Sequence, residues 1–188
     1  LQTPKDVYLF KKLYFSNKGI AFPNSPFFKE IELVNINKRS SIGWIVSCTD
    51  DYFPLTKWFF RNVVVKVLKR NDDFKLHIHG KNNYKIKKYI EEVFPNNNFN
   101  IYYTEHVAEI STFYLNVKVV ISPVYKGYGL INRTIEAMYY GCIVIGDPEA
   151  FNGVSRAEDG VSCFIAKNIK EFAEKIECVY KLDSLESI

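Results

Sequence analysis

Apolar positions along the chain follow two alternating spacings. Short apolar runs favour buried strands, and apolar residues three and four positions apart favour helices. The runs predict six strands, at 41–48, 74–80, 99–104, 117–122, 142–146 and 161–166. The helical spacing predicts helices at 55–70, 83–94, 106–115, 131–140 and 169–182. Because this alternation requires right-handed crossovers, we expect an α/β fold: a Rossmann-like parallel six-stranded sheet with helices on both faces.

The first forty residues have a less regular pattern. A short amphipathic helix is predicted at 5–15, followed by a polar stretch with Pro23, Pro26 and one strand near 18–22. The chain begins with Leu1 rather than Met, so we expect a fragment or a processed product. Residues 41–188 are predicted to form one domain, since 188 residues are a typical length for one domain with an additional segment.

Composition excludes several classes of protein. Twenty-five basic and twenty-one acidic residues give a net charge of +4, which is too mild for a dedicated nucleic-acid binder. No apolar run approaches the roughly 18 residues of a membrane span. The four cysteines have no metal-binding or redox spacing, so we expect mostly buried, reduced thiols in a cytoplasmic protein, a disulfide being the minor alternative. His77 and His79 share a strand face without a nearby ligand in sequence, and we expect no metal.

The stretch 121–147 carries the candidate chemistry. A predicted strand is followed by a loop with two glycines and then by a helix, and ligands of such sheets bind at the carboxyl ends of strands. Ile131, Ile135 and Met138 are expected to form the buried stripe of this helix, with Arg133 and Glu136 off the stripe. The loop is not a Walker loop, because Gly-Lys-Ser/Thr is absent.

A cation in the first helical turn opposes the helix dipole, which suggests that an anion binds there. Arg133, the two glycines and the first-turn N–H groups would hold a phosphate or diphosphate. Glu136, one turn later, would accept hydrogen bonds from the two hydroxyls of a ribose. The alternative is that Arg133 and Glu136 pair with each other on a solvated helix.

Residues 123–146 resemble the donor-site signature of group 1 glycosyltransferases, in particular glycosyltransferase family 4. The matching positions are Pro123, Gly127, Gly129, Arg133, Glu136, Ala137, Met138 and Gly141. The resemblance extends over about 41–182, with Pro54 at the place of a recurrent proline. It implies the carboxy-terminal, nucleotide-sugar-binding half of a two-domain GT-B enzyme. Residues 1–40 would then be the end of the amino-terminal domain and the crossover segment.

The resemblance also implies roles for individual residues. Glu136 would hold the ribose, and Arg133 would neutralise the diphosphate and stabilise the leaving group. The donor loop would contribute Gly127, Tyr128, Gly129, Leu130 and Ile131. The donor would be a UDP- or GDP-sugar and the acceptor a glycan or a lipid-linked sugar, bound through the amino-terminal domain. Transfer would proceed with retention, without metal and without a further cofactor.

Three other residues are candidate donor contacts. The resemblance offers Lys57, because many relatives carry a lysine for the diphosphate a few residues after the first strand. Lys81 follows Gly80 in a ligand-side loop, and His106 opens the predicted helix after the third strand. For Lys81 and His106 the alternative is an ordinary surface residue. Lys85, Lys87 and Lys88 form a basic helix face, which is either solvated or in contact with an anionic membrane surface.

The chain departs from the family pattern at two sequence positions, and we expect the acceptor-binding amino-terminal domain to be missing from it. Many relatives carry a glutamate where this chain has Gly127 or Tyr128, and an arginine where it has Cys48. Two alternative functions therefore stay open: a non-catalytic nucleotide-sugar-binding module that acts with a partner chain, and another GT-B enzyme such as a sugar-nucleotide epimerase. In each case we expect little or no transfer by residues 1–188 alone.

Overall fold

A parallel six-stranded sheet forms the centre of the computed structural model, which describes residues 35–124, 131–154 and 156–181. The strands are β1 (Ser41–Ile45), β2 (Lys75–His79), β3 (Asn100–Thr104), β4 (Val117–Ser122), β5 (Ile143–Gly146) and β6 (Phe164–Ile165). Their order is β3-β2-β1-β4-β5-β6, and all neighbours pair in parallel. The predicted Rossmann-like α/β fold is confirmed.

Helices connect the strands on both faces of the sheet. They are α1 (Phe53–Phe59), α2 (Val65–Arg70), α3 (Tyr84–Val93), α4 (Ile110–Tyr114), α5 (Asn132–Tyr139) and α6 (Ile169–Lys181). A π-helical turn, Phe60–Val64, joins α1 to α2, so the predicted helix at 55–70 is one continuous element. Short 3-10 helices cover Ile36–Lys38 and Pro148–Phe151. Among these described helices none is long and apolar enough to cross a membrane.

Two predicted elements keep half of their expected length or less in the structure. The helix expected at 106–115 is only Ile110–Tyr114, because Glu105 is tied to the neighbouring loop by a hydrogen bond from the Asn82 N–H at 2.9 Å. The sequence predicted that His106 opens this helix. In the structure His106 lies in the loop that precedes it. The strand expected at 161–166 is only Phe164–Ile165, because the Asp159 carboxylate accepts the Ile165 N–H at 2.8 Å and closes a turn.

The hydrophobic core lies on the two faces of the sheet. One cluster packs β1 and β2 against α1, α2 and α6, with the Phe59 ring in contact with those of Trp44 and Phe172. The other packs Phe113 and Tyr114 of α4 together with apolar side chains of β4, β5 and α5. Burying a large apolar side chain contributes about 1.5–3 kcal/mol, so these clusters supply the main driving force.

The buried face of α5 differs from the predicted one. Thr134 and Ala137 are completely buried, whereas Ile131, Ile135 and Met138 are only partly buried. The reason is a hydrogen bond between the hydroxyls of Thr134 and Ser122, 2.9 Å apart, which draws a polar residue against the end of β4. The helix is therefore rotated relative to the expected stripe.

The backbone at the carboxyl end of β2 passes close to the end of β1. Gly80 has a φ of +140°, and a Cβ atom there would collide with the Val46 carbonyl oxygen. The Val46 N–H donates to the His79 carbonyl at 2.8 Å, which continues the strand pairing beyond β1. Glycine is required here both by conformation and by the close approach.

The four cysteines are free thiols. Cys48, Cys142 and Cys163 are buried and Cys178 is exposed, in agreement with the predicted mostly buried thiols.

Candidate functional site

A cavity of about 440 Å³ opens at the carboxyl end of β1, against the first turn of α5. Its lining consists of Ile45, Val46, Ser47, Ile131, Asn132, Arg133 and Glu136. The volume falls in the range of small-molecule sites, and the position follows the rule for ligands of parallel sheets. Within the described residues, no group of three His, Cys, Asp or Glu side chains could hold a metal ion.

Arg133 places a fixed positive charge at this cavity. Its Nη2 donates to the Pro123 carbonyl at 3.1 Å, and its Nε is buried without a hydrogen-bond partner. Burial lowers the pKa of Arg133, while interactions with Tyr114 and Asp147 oppose that shift. A guanidinium nevertheless stays protonated in proteins. The cation is thus partly desolvated and has donor capacity left for a ligand.

The first turn of α5 presents backbone N–H groups near the same cation. Ile131 occupies the N-cap position and has no side-chain acceptor, and the first turn contains no acidic residue. Uncapped N–H groups and the positive end of the helix dipole both favour an anion. Because Arg133 has the same sign as this helix end, a bound anion would relieve their repulsion.

Glu136 follows one turn later, and a buried tyrosine forms a hydrogen bond with its carboxylate. Its Oε2 accepts a hydrogen bond from the Tyr114 hydroxyl at 3.1 Å. Arg133 donates to a backbone carbonyl and forms no ion pair with Glu136, although both side chains are described. The alternative in which the two residues pair on a solvated helix is therefore not what the structure shows.

Asp147 organises the loops that flank the cavity, and sequence reasoning missed it. Its carboxylate accepts hydrogen bonds from the N–H groups of Val124, Glu149 and Ala150. Burial raises the pKa of Asp147, and these hydrogen bonds oppose the shift. The hydrogen bond to Val124 fixes the residue that follows Pro123, and the Pro123 carbonyl in turn accepts a hydrogen bond from Arg133. An Asp-Pro pair directly after a predicted strand was the available signal.

The structure brings together only part of the predicted site. Arg133, Glu136 and Ile131 line one cavity. Ser47 and Asn132 also line it and were not predicted as contacts, although Ser47 stands directly at the end of the first predicted strand. The donor-loop residues Gly127, Tyr128, Gly129 and Leu130 lie outside the described residues.

The remaining candidates lie away from the cavity lining. The Lys57 Nζ is 4.9 Å from the centroid of the Phe53 ring and 5.7 Å from that of Tyr89, a cation–π arrangement. Lys81 is exposed in the turn after β2, and His106 is exposed in the loop after β3. Their roles as donor contacts stay predictions.

A sequence profile and solved structures identify what the chain resembles. The profile of the family described as "Glycosyl transferases group 1" matches residues 55–181. No curated protein sequence matches the chain significantly. A mutant of S. aureus TarM, solved with Fondaparinux, alpha-GlcNAc-glycerol and UDP, matches with a TM-score of 0.73 and 20% identity. That match covers 97% of this chain and 36% of TarM.

Two further structures share the fold. The pneumococcal O-GlcNAc transferase GtfA, in complex with UDP and GlcNAc, gives a TM-score of 0.72 at 15% identity, over 99% of this chain and 38% of GtfA. A GtfA/B complex gives 0.56 at 20% identity, over 77% of this chain and 30% of that one. The chain thus spans less than two fifths of each of these proteins. Since the family profile covers well over half of the sequence, the chain belongs to the group 1 glycosyltransferases.

Proposed function

We propose that this chain binds a nucleoside-diphosphate sugar and forms the donor-binding half of a retaining, metal-independent glycosyltransferase of the family 4 type. The observation that carries the proposal is the cavity at the start of α5, where Arg133 and an uncapped helix N-terminus lie one turn from Glu136. A diphosphate matches the positive end of this arrangement, and ribose hydroxyls match the carboxylate.

The same groups can assist the chemical step. In the proposed transfer, the bond between the anomeric carbon and the diphosphate oxygen breaks, and negative charge accumulates on the leaving oxygen. An acceptor hydroxyl attacks the anomeric carbon, and its proton passes to the departing diphosphate oxygen. Arg133 and the N–H groups of α5 would stabilise the developing charge more strongly than the ground state, which is the requirement for catalysis. They would supply in this way the positive charge that a metal ion provides elsewhere.

The solved relatives favour a uridine nucleotide. Both the TarM complex and the GtfA complex described above contain UDP. We therefore place UDP-sugars before GDP-sugars as the donor of this chain.

The acceptor site would lie on another domain or another chain, and the acceptor would be a glycan or a lipid-linked sugar. This chain covers 36% of TarM and 38% of GtfA, and one similar structure is a GtfA/B complex. Residues 1–188 alone are accordingly expected to bind donor without transferring the sugar at a useful rate. Neither a non-catalytic module nor an epimerase is favoured by a specific feature of this site.

We further propose a cytoplasmic location with a solvated α3. On this helix Lys87 and Lys88 pair with Glu91 and Glu92 at 4.0 and 3.8 Å, and Lys85 contacts Asp50 at 3.0 Å. Neighbouring acidic groups thus offset the basic face, which weakens the case for contact with an anionic membrane.

Titration calorimetry of UDP, GDP and their common sugar conjugates tests the proposal. One nucleotide should bind the wild type, and Glu136→Gln should weaken binding by about 1–3 kcal/mol, the cost of an impaired hydrogen-bonded carboxylate. Glu174→Gln is the matched control, because Glu174 is an exposed glutamate on α6 that pairs with Lys170. Equal binding by wild type and Glu136→Gln would place the ribose elsewhere. Absence of nucleotide binding by folded protein would contradict the proposal.

A further inference from the structure

Tyr114, the last residue of α4, is completely buried behind the candidate site. Its ring stacks on Tyr140 with the centroids 5.2 Å apart and the planes 13° from parallel, and it contacts Phe113 at 5.2 Å. A ring packed in this way has little rotational freedom. Its hydroxyl is therefore held at one point relative to the start of α5.

The backbone of Tyr114 is also anchored. Its carbonyl oxygen lies 3.3 Å from the Arg39 Nη1 and 3.3 Å from the Cys142 thiol, and both groups can donate to it. Arg39 is itself buried and donates at 2.9 Å to the carbonyl of Tyr140, at the end of α5. The ends of α4 and α5 are thus fastened to each other on the side away from the cavity.

The Tyr114 hydroxyl has one proton and two acceptors within reach. Glu136 Oε2 lies at 3.1 Å and the Arg133 carbonyl oxygen at 3.3 Å. A carboxylate is the stronger acceptor, so the proton is directed mainly to Glu136. Burial, reinforced by the charge of Glu136, raises the pKa of Tyr114, and the phenol remains a donor at neutral pH.

One hydrogen bond leaves Glu136 with most of its binding capacity. A carboxylate offers about four acceptor positions, and Tyr114 occupies one of them on Oε2. Glu136 also lines the cavity, so its remaining lone pairs are available to a ligand there. Without the phenol, the flexible glutamate side chain would sample several rotamers and would lose entropy on binding.

We propose that Tyr114 is a positioning residue that holds Glu136 in the orientation that accepts the ribose hydroxyls, and that it thereby sets the preference of the site for ribonucleotides over dideoxyribonucleotides. This inference rests on the proposed function, in which Glu136 binds the ribose. Tyr114 itself touches no part of the ligand and acts only through the carboxylate.

Calorimetry with UDP and 2′,3′-dideoxy-UDP tests this role, with GDP and its dideoxy form used if guanine is the preferred base. Tyr114→Phe should weaken ribonucleotide binding about threefold to tenfold and leave dideoxynucleotide binding unchanged. In the Glu136→Ala background, where the phenol has no side-chain acceptor at position 136, the same substitution should cause no additional loss. Glu136→Asp retains the carboxylate but shortens the side chain, which moves the charge away from the Tyr114 hydroxyl. It should therefore reduce the preference for ribonucleotides although Tyr114 itself is unchanged.

Tyr180→Phe is the matched control. Its hydroxyl donates to the Ser40 carbonyl at 2.6 Å, at the opposite end of the sheet from the cavity. Full ribose preference in Tyr114→Phe would overturn the positioning role and leave the proposed function intact. Equal losses in Tyr180→Phe and Tyr114→Phe would also overturn it, because general destabilisation would then explain both. A folded wild type that binds no nucleotide, or that binds UDP and 2′,3′-dideoxy-UDP equally well, would overturn the proposed function together with this inference.

Discussion

The hydroxyl oxygens of Ser122 and Thr134 lie 2.9 Å apart, and both side chains are completely buried. The hydrogen bond joins the last residue of β4 to the first turn of α5. Arg133 is the neighbour of Thr134 and bonds back to the Pro123 carbonyl, so two adjacent contacts fix the helix on the strand that precedes it. The orientation of the candidate site depends on this junction.

Thr134→Val should destabilise the domain by about 1–3 kcal/mol. Valine keeps the shape of threonine but leaves the Ser122 hydroxyl buried without its partner, and an unsatisfied buried hydroxyl bears the full desolvation penalty. Urea unfolding followed by circular dichroism measures the change.

The double variant Ser122→Ala/Thr134→Val is the control for this mechanism. It removes both hydroxyls, leaves no unsatisfied polar group from this pair, and should recover most of the lost stability. A loss of stability in the double variant equal to the sum of the losses in Ser122→Ala and Thr134→Val would contradict this mechanism.

Arg39→Met should destabilise the domain by about 1.5–3 kcal/mol, the range for hydrogen bonds to charged groups. The buried guanidinium serves the carbonyls of Tyr114 and Tyr140, at the ends of α4 and α5, where a positive charge also complements the helix dipoles. The free energy of unfolding in urea measures the loss. Arg61→Met, at an exposed arginine, should change it by less than about 0.5 kcal/mol, and a similar loss there would argue against a specific role of Arg39.

The sequence predicted the sheet well because hydrophobic runs report burial directly. All six strands are present, and the segment with Arg133 and Glu136 lies at the carboxyl end of the sheet as expected. The prediction of the buried face of α5 was wrong because Thr134 is polar and its partner Ser122 is brought near only by the fold. The contact of Tyr114 with Glu136 could not be predicted for the same reason. The two residues lie 22 positions apart, and no local pattern links them.

The stability of the domain should fall as the pH is lowered from 7 towards 5. Burial lowers the pKa of His77 and of His79, whose ring nitrogens lie 2.9 and 3.1 Å from the Thr104 hydroxyl. The unfolded chain, with histidine pKa values near 6.5, then binds protons that the folded chain does not. Each histidine contributes a slope of up to about 1.4 kcal/mol per pH unit below that value. Urea midpoints at a series of pH values measure the slope.

Replacement of both histidines separates them from other titrating groups. His77→Gln/His79→Gln should flatten the dependence between pH 7 and 5, whereas His106→Gln, at the exposed histidine that disfavours the charged form of His79, should retain most of it. An unchanged slope in the double variant would show that other groups cause the acid sensitivity.

Cys178 should be the only thiol that reacts quickly with a disulfide reagent in the folded protein. It is exposed on α6, whereas Cys48, Cys142 and Cys163 are buried, and burial raises the pKa of Cys142 to about 12. The thiolate is the reactive form, so burial and a raised pKa both slow the reaction. One fast equivalent, lost in Cys178→Ser, is expected, and four equivalents after unfolding. Two or more fast equivalents in native protein would contradict the packing described above.

Arg133→Met should distinguish the diphosphate from the nucleoside. If the guanidinium binds the diphosphate, the substitution weakens UDP by about 1.5–3 kcal/mol, the value of a hydrogen bond to a charged group, and leaves the weaker binding of uridine nearly unchanged. Glu136→Gln should weaken UDP and uridine alike, because the ribose is common to both. Competition between UDP and uridine, measured by calorimetry at two salt concentrations, provides the comparison, since an ionic contact also weakens as salt increases. Equal losses of UDP and uridine in Arg133→Met would mean that the residue supports the shape of the cavity, through its bond to the Pro123 carbonyl, and does not contact the phosphates.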